Sequence, residues 1–499
     1  MRTRRPVAAG LVVPGLALAV WLAPLAVVLG LNRLLVLVVL GCGAWLSVQR
    51  IGVVDLATGA IAGVGAYAGG VWPAVLGWPA PVGVVVGGLA GAVAGGGATA
   101  IAGRVGRVGS AVTTLAFGAV VVGGLVAIPA TGGAAGFHAV PLLTGSDRAD
   151  AVVLGVMAGL ALWVAWRADR TASVALGSTA VRAPVASAAA GHRPMVSAGA
   201  AGVWSGAILG TGGVLLATTS GSVAPAAFGL TLGAGLLLAA ALGGGHPAGG
   251  AVGVLVLYAP SIVWPTAPIL GDAPLLVLGP LGLALLAIRP QGLVRPRVRA
   301  APWDGHAPAA PEPSLPPLTL RLRDTPTIPG RTLAVTVAPG EVVAVVGPNG
   351  SGKSTLLARI AGQLDDHGTV WLGDQCPPRG PVRRARAGIA RTFQRAPDAV
   401  VADVLAAAAS EGSQAAAAWV ASVLGDDAWT AAGAALVAVG ARRPRLALLD
   451  EPGAQLDPQR VAEVARGLAD GGCAVLLVEH RAELVAAADR TVHLGEDGS

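Results

Sequence analysis

Charge is scarce in these 499 residues: Asp, Glu, Lys and Arg together supply 12%, hydrophobic residues supply 54%, and the mean hydropathy is +0.70. That balance excludes a water-soluble globular protein and implies a membrane protein. The first 300 residues hold 16 Arg and 5 Asp with no Glu and no Lys, whereas residues 301–499 hold 18 basic and 22 acidic residues. Two solvents are implied. The net charge of +7 and the pI near 10.4 arise in the apolar half, so they give no reason to expect a nucleic-acid partner. Cysteine is nearly missing: Cys42, Cys376 and Cys473 stand far apart without C-x-x-C spacing, which sets aside a disulfide framework or a zinc site.

What is abundant is apolar sequence in lengths suited to a bilayer, where about 20 residues of helix cross a hydrocarbon core roughly 30 Å thick. Ten spans are expected, at about 8–31, 34–49, 56–76, 82–103, 109–130, 151–166, 196–218, 223–243, 249–264 and 273–288, broken where Gly, Pro or charge clusters. Arginine placement agrees with that number. With a cytoplasmic N-terminus, the inner loops collect Arg2, Arg4, Arg5, Arg50, Arg104, Arg107, Arg167, Arg170, Arg182, Arg193, Arg289, Arg295, Arg297 and Arg299, leaving only Arg33 and Arg148 outside. The Arg-rich start before a long apolar run is expected to be the first span, since it is too long for a cleaved signal and lacks a clear cleavage site.

Most of the 74 Gly lie in this half, which reads either as close helix packing in lipid or as a bias of composition. Asp55 is an acid inside an apolar stretch, so it marks a functional pathway or pairs with nearby Arg50. From residue 295 to 317 the chain carries seven Pro without apolar periodicity; it is expected to be a linker between a membrane domain, 1–294, and a cytosolic domain, 318–499. Extended at ~3.1 Å per residue, it reaches on the order of 60 Å.

The chemistry is expected in the last 180 or so residues. After the strand-like run Val342 to Val346 comes Gly347-Pro348-Asn349-Gly350-Ser351-Gly352-Lys353-Ser354-Thr355, followed by a helix with Leu357, Ile360, Ala361 and Leu364 on its apolar positions. This is G-x-x-x-x-G-K-[ST] in a strand, loop, helix setting. Backbone N–H groups and the helix N-terminus cradle phosphates, Lys353 reaches the β and γ oxygens, and Ser354 holds Mg²⁺. Lys353 is also the only lysine of the chain, at the position where a compact ammonium fits and a broad guanidinium does not. A second strand, Leu446 to Leu449, ends in Asp450-Glu451-Pro452, which predicts a Mg²⁺-binding carboxylate at Asp450 and a general base for the attacking water at Glu451. A third, Ala474 to Val478, delivers Glu479-His480, and the place of His480 after a strand favours contact with the γ-phosphate.

Together with Gly388-Ile389-Ala390-Arg391-Thr392-Phe393-Gln394, Gln455-Leu456-Asp457 and Val478-Glu479-His480, these motifs resemble the ATPase of an ABC transporter, and the first of them is especially similar to ATPase subunits of branched-chain amino-acid importers. By that resemblance ATP and Mg²⁺ are the cofactors, Gln394 senses Mg²⁺ and the attacking water, Asp457 is the D-loop aspartate and His480 the switch histidine. The apolar half resembles the permease subunits of the same importers through Gly63-Val64-Gly65-Ala66-Tyr67, Thr114-Leu115-Ala116-Phe117-Gly118, Thr131-Gly132-Gly133 with Gly136, and Arg289-Pro290-Gln291-Gly292-Leu293. The stretch around Gly177, Arg182 and Gly191 is similar to their coupling segment. The resemblance implies a multi-domain fold, a polytopic all-α membrane domain of about ten helices followed by an α/β P-loop ATPase with a shortened helical subdomain. It also implies a permease and ATPase fused in one bacterial plasma-membrane chain, importing branched-chain amino acids or, alternatively, urea or short amides, with an extracytoplasmic solute-binding protein as partner. An ATP-binding regulatory or scaffolding membrane protein without turnover is the reading from another class.

Two family features are missing. No L-S-G-G-Q signature precedes Asp450; its spacing falls on Asp426-Asp427-Ala428-Trp429-Thr430, whose acids repel phosphate. No aromatic suited to stacking on adenine lies between Leu318 and Thr336, Trp303 being a distant substitute. An asymmetric pairing follows, in which a second ATPase half supplies an intact signature loop.

Overall fold

In a computed structural model the described residues are 20–71, 75–138, 140–263, 274–294, 310–328, 331–393, 404 and 414–494. They form two units: residues 1–177 with 198–298, and residues 178–197 with 299–499.

The first unit is helical, as its apolar runs require. Its helices are Leu25–Trp45, Thr58–Gly65, Ala80–Ala127, Asp147–Ala168, Leu230–Gly243, Gly249–Val263 and Pro274–Ile288, with most of Pro194–Ser220. Among the described residues, five helical stretches are long and apolar enough to cross a membrane: Leu25–Ile51, Ala80–Ala127, Asp147–Ala168, Pro194–Ser220 and Pro225–Gly243. One boundary differs from expectation. The break placed between 31 and 34 is helical, because Asn32 is buried and its amide donates to the Asp147 carbonyl at 2.9 Å instead of meeting water. The spans expected at 82–103 and 109–130 lie on two helical stretches within Ala80–Ala127, joined at a kink where Gly106 is non-helical (φ 76°, ψ −178°), a conformation that residues with a Cβ rarely adopt. The first 19 residues, with half of the first expected span and Arg2, Arg4 and Arg5, lie outside the described residues.

Gly87, Gly91 and Gly95 face Gly202, Gly206 and Gly210 along two helices. A Cβ on Gly91 would lie 2.3 Å from the Gly206 carbonyl oxygen, and one on Gly210 2.2 Å from that of Gly87. Here glycine is a packing requirement, since small residues alone let helix backbones meet this closely.

The helix that begins at Leu25 widens into a π-turn over Leu46–Ile51 and then unwinds through residues 52–57 before restarting at Thr58. Unwound backbone among apolar helices needs hydrogen-bond partners. Ser110 and Thr114 provide them: Val54 N–H donates to Ser110 Oγ at 3.0 Å, Leu56 N–H to Thr114 Oγ1 at 3.2 Å, and Thr114 Oγ1 donates to the Val54 carbonyl at 2.9 Å. Arg50 forms its ion pair with Asp169, whereas Asp55 accepts from the Ala57 N–H at 3.0 Å, so the expected Arg50–Asp55 pair is replaced. Other permease-like motifs also have packing roles. Gly136 abuts Val223, and the closing Gly292-Leu293 stretch seals the end of Leu230–Gly243, with Leu293 N–H donating to the Leu242 carbonyl at 2.8 Å.

The second unit is α/β. We number the strands β1 (Phe137–His138), β2 (Ser222–Val223), β3 (Leu320–Ile328), β4 (Arg331–Val337), β5 (Val342–Val346), β6 (Val370–Leu372), β7 (Ile389–Arg391), β8 (Leu446–Asp450), β9 (Ala474–Val478) and β10 (Arg490–His493). The first two form a small antiparallel pair in the helical unit. The rest make a parallel sheet of order β10-β5-β9-β8-β7 and an antiparallel sheet of order β4-β3-β6. Strands β8 and β9 are buried along their whole length, as unbroken Leu, Ala and Val runs predict for a sheet covered on both faces. Residues 310–317, the described end of the expected linker, are tied down: Ser314 N–H donates to the Arg443 carbonyl at 2.9 Å and Arg443 Nε to the Glu312 carbonyl at 2.6 Å.

Candidate active site

The parallel order brings the carboxyl ends of β5, β9, β8 and β7 to one edge, where ligands of open α/β sheets bind. After β5 the chain runs through residues 347–352 into the helix Lys353–Ile360. Gly350 (φ 84°) and Gly352 (φ 93°) adopt the left-handed conformation that turns the backbone here, and a Cβ on Gly347 would strike the Leu494 carbonyl oxygen at 2.5 Å. Lys353 is buried, its ammonium donating to the carbonyls of Gly347 (2.6 Å) and Pro348 (3.0 Å). The buried Ser351 hydroxyl has no hydrogen-bond partner among the described residues, leaving a polar group in the loop ready for a phosphate oxygen.

At the end of β8, Asp450 meets the loop. Its Oδ1 accepts from Ser354 Oγ at 3.1 Å and its Oδ2 from Arg391 Nη2 at 2.9 Å, while its own N–H donates to Thr392 Oγ1 at 2.9 Å. Glu451 follows in the left-handed region (φ 47°, ψ 48°), its N–H donating to the Val478 carbonyl at 2.9 Å. A non-glycine residue held there marks backbone strain of the kind that collects at functional sites. Beside it, fully buried Glu479 accepts from the N–H groups of Gly453 (3.0 Å), His480 (2.9 Å) and Arg481 (3.3 Å), bracing the turn after β9 against the turn after β8. His480 itself is exposed.

Arg391, Thr392 and Glu479 had no assigned role in the sequence. The signal for Arg391 was its charge in a short strand otherwise built of Ile and Ala. Its guanidinium is 5% exposed, bonds Gln363 Oε1 at 2.7 Å and the Ser354 carbonyl at 3.3 Å, and lies 5.0 Å from the Phe393 ring. Burial pulls it below the ordinary arginine range, and the Asp450 carboxylate opposes that shift. Gln394 and Trp303 lie outside the described residues.

Ser354 and Asp450 suit Mg²⁺, a hard cation that takes one or two carboxylate or hydroxyl oxygens together with substrate phosphates. Among the described residues no group of three or more His, Cys, Asp or Glu could hold a metal by itself, so such an ion depends on the phosphates.

The expected signature position forms a 3₁₀ turn, Gly425–Trp429, before the helix Ala431–Ala441, which Thr430 caps by accepting from Gly433 N–H at 3.0 Å. Asp427 lies 3.8 Å from Arg460, and Asp457 caps the helix Pro458–Asp470 through Gln459 N–H at 3.0 Å. In the same unit, the short helix Pro184–Ala189 and its following turn rest on the α/β fold: Arg442 Nη1 donates to the Ala189 carbonyl at 3.0 Å and Arg386 Nε to that of Gly191 at 3.3 Å. A cavity of about 680 Å³ lies beside this contact, bordered by Ser187, His192, Arg386, Phe393 and Ala435.

Residues 331–454 match the family model described as ABC transporter. A lipoprotein-releasing system ATP-binding protein, LolD, of a Ruegeria species is 36% identical over 198 residues, covering 34% of this chain and 86% of that protein. The chain belongs to the ABC transporter ATP-binding family. An ABC transporter ATP-binding protein of Streptomyces coelicolor is 36% identical over 188 residues, of which the chain spans only 33% of the length. The hemin import ATP-binding protein HmuV of Rhodococcus jostii is 35% identical over 206 residues, covering 32% of this chain and 65% of that protein. The C-terminal fold is therefore an ABC ATPase domain, which binds ATP, joined to a mostly helical region with several apolar helices.

Proposed function

We propose that this chain is a permease and ATPase fused as one subunit of an ABC transporter, using ATP hydrolysis to import a small polar solute, branched-chain amino acids being the class its motifs resemble. The observation that carries the reading is Ser354 Oγ 3.1 Å from Asp450 Oδ1, beside a loop whose buried Lys353 is folded onto Gly347 and Pro348. In this reading the backbone of Gly347 to Thr355 and Lys353 hold the phosphates, and Ser354, Asp450 and Gln394 hold Mg²⁺. Glu451 acts as general base toward water, and His480 contacts the γ-phosphate. Positioning and charge neutralisation supply the catalysis.

The helical part, 1–294, is the ten-span permease in the bacterial plasma membrane, 295–317 the connection, and 318–499 the cytoplasmic ATPase. The contact of Ala189 and Gly191 with Arg442 and Arg386 supports a coupling role for that segment. The acids at Asp426 and Asp427 support pairing with a second ATPase half that carries an intact signature loop, and an extracytoplasmic binding protein delivers the solute. The test is solute uptake and ATPase activity in the reconstituted full chain with its partner half, before and after Lys353→Ala and Glu451→Gln. A transporter loses both activities; retention of uptake in either variant refutes coupling to hydrolysis.

A further inference from the structure

Arg391 is the unusual charge of the site. Three of its hydrogen bonds join β7 to the phosphate-loop helix, to the turn that follows it and to Asp450: Nη2 to Asp450 Oδ2 at 2.9 Å and to the Ser354 carbonyl at 3.3 Å, and Nη1 to Gln363 Oε1 at 2.7 Å. The Arg391 and Asp450 side chains are 5% and 2% exposed, so water screens neither charge well. The carboxylate that would anchor a metal is thus already neutralised by a cation that cannot lose its proton.

We propose that Arg391 is a positioning residue that makes metal binding conditional on nucleotide: by cancelling the charge of Asp450 it keeps a divalent cation from settling on Ser354 and Asp450 alone, and the phosphates of ATP restore the negative charge that retains it. Two opposing effects meet at this pair. Arg391 orients Asp450, which favours the metal, and it repels a dication a few ångströms away, which disfavours it. The second dominates, because Ser354 Oγ and Thr392 Oγ1 also hold Asp450 in place, whereas the Arg391 charge, shielded from water, offsets that of the carboxylate directly. The order of binding follows, with metal and ATP entering together and never metal first. This inference rests on the ATP-site reading above.

The experiment uses the full chain in detergent and Mn²⁺ as the probe, titrated by electron paramagnetic resonance without nucleotide, with binding of a fluorescent ATP analogue plus Mg²⁺ measured in the same preparation. The parent protein is expected to bind Mn²⁺ weakly. Arg391→Gln is expected to tighten nucleotide-free Mn²⁺ binding by roughly tenfold or more, and adding Asp450→Asn to it abolishes the gain. Arg391→Lys keeps the charge and stays close to the parent, a pattern that loss of packing would not produce. If Arg391→Gln does not fold, Arg391→Met fills the same space without charge and carries the same expectation. Unchanged or weaker Mn²⁺ affinity in the uncharged variant, with the parent still binding Mg-nucleotide, overturns the inference alone. A parent that binds no Mg-nucleotide overturns the ATP-site reading as well.

Discussion

Gly91 and Gly206 stand with their backbones in contact: a Cβ on Gly91 would lie 2.3 Å from the Gly206 carbonyl oxygen, and a Cβ on Gly206 2.2 Å from that of Gly91. No side chain separates the two helices at this level, and the flanking glycines repeat the arrangement four residues away on either side.

Gly206→Ala therefore overpacks a seam with no room to relax. We expect a loss of about 1–3 kcal/mol, read as a lower melting temperature of the purified full chain in detergent. Gly155→Ala, on another apolar helix with no atom within 4 Å of the added Cβ, does not lower the melting temperature and is the control.

Lys353→Ala and Glu451→Gln separate binding from chemistry. The first removes the ammonium from the phosphate loop and weakens nucleotide binding by at least tenfold. The second keeps binding and lowers turnover by on the order of 10²- to 10⁴-fold, the usual contribution of a positioned base. Lys353→Arg does not rescue, because the buried pocket bounded by the Gly347 and Pro348 carbonyls fits an ammonium and not a planar fork. Equilibrium nucleotide binding beside phosphate release checks all three.

Glu479→Ala strips the acceptor from the buried Gly453 N–H and from the part-buried N–H groups of His480 and Arg481. The abandoned buried donor alone costs about 1–3 kcal/mol, so the ATPase unit melts earlier. Turnover falls with it, because Gly453 follows Glu451 by two residues. Glu479→Gln, which keeps one acceptor oxygen, loses less on both measures.

Acid weakens the strand register at Asp489. The Arg466 guanidinium at 3.0 Å and the Val342 N–H at 2.8 Å hold its carboxyl below the usual carboxylate range. With the folded-state value depressed, the stabilisation is present above about pH 4, the unfolded carboxylate range, and disappears as pH falls through the folded value. Melting temperature measured from pH 6 down to pH 3 should fall less steeply below pH 4 in Arg466→Gln than in the parent.

Much of the site was legible because its chemistry is local in sequence. Residues 347–355 and 450–451 each lie within one turn at a strand end, so spacing alone placed them. Arg391 and Glu479 were harder, since their roles depend on which strands are neighbours, and the sheet order β5-β9-β8-β7 is not written in any one segment. In the helical half, hydropathy located most elements but misjudged residues 31–34, where the polar Asn32 looks like a loop and is instead satisfied by the Asp147 carbonyl. The glycines could be read either as composition or as packing until Gly87, Gly91 and Gly95 were seen against Gly202, Gly206 and Gly210.

Residues 178–197 fold with the ATPase although residues 198–298 separate them from the rest of it in sequence. A fragment engineered to begin at the proline-rich stretch would leave this piece behind and uncover the Ala385 and Ala441 surface with its Arg-bordered hollow. Such a truncation would be sticky for a reason unrelated to its nucleotide site. Poor behaviour of the severed half in the test tube is then a property of where the knife fell, and restoring the twenty missing residues as a free peptide is the remedy that geometry suggests.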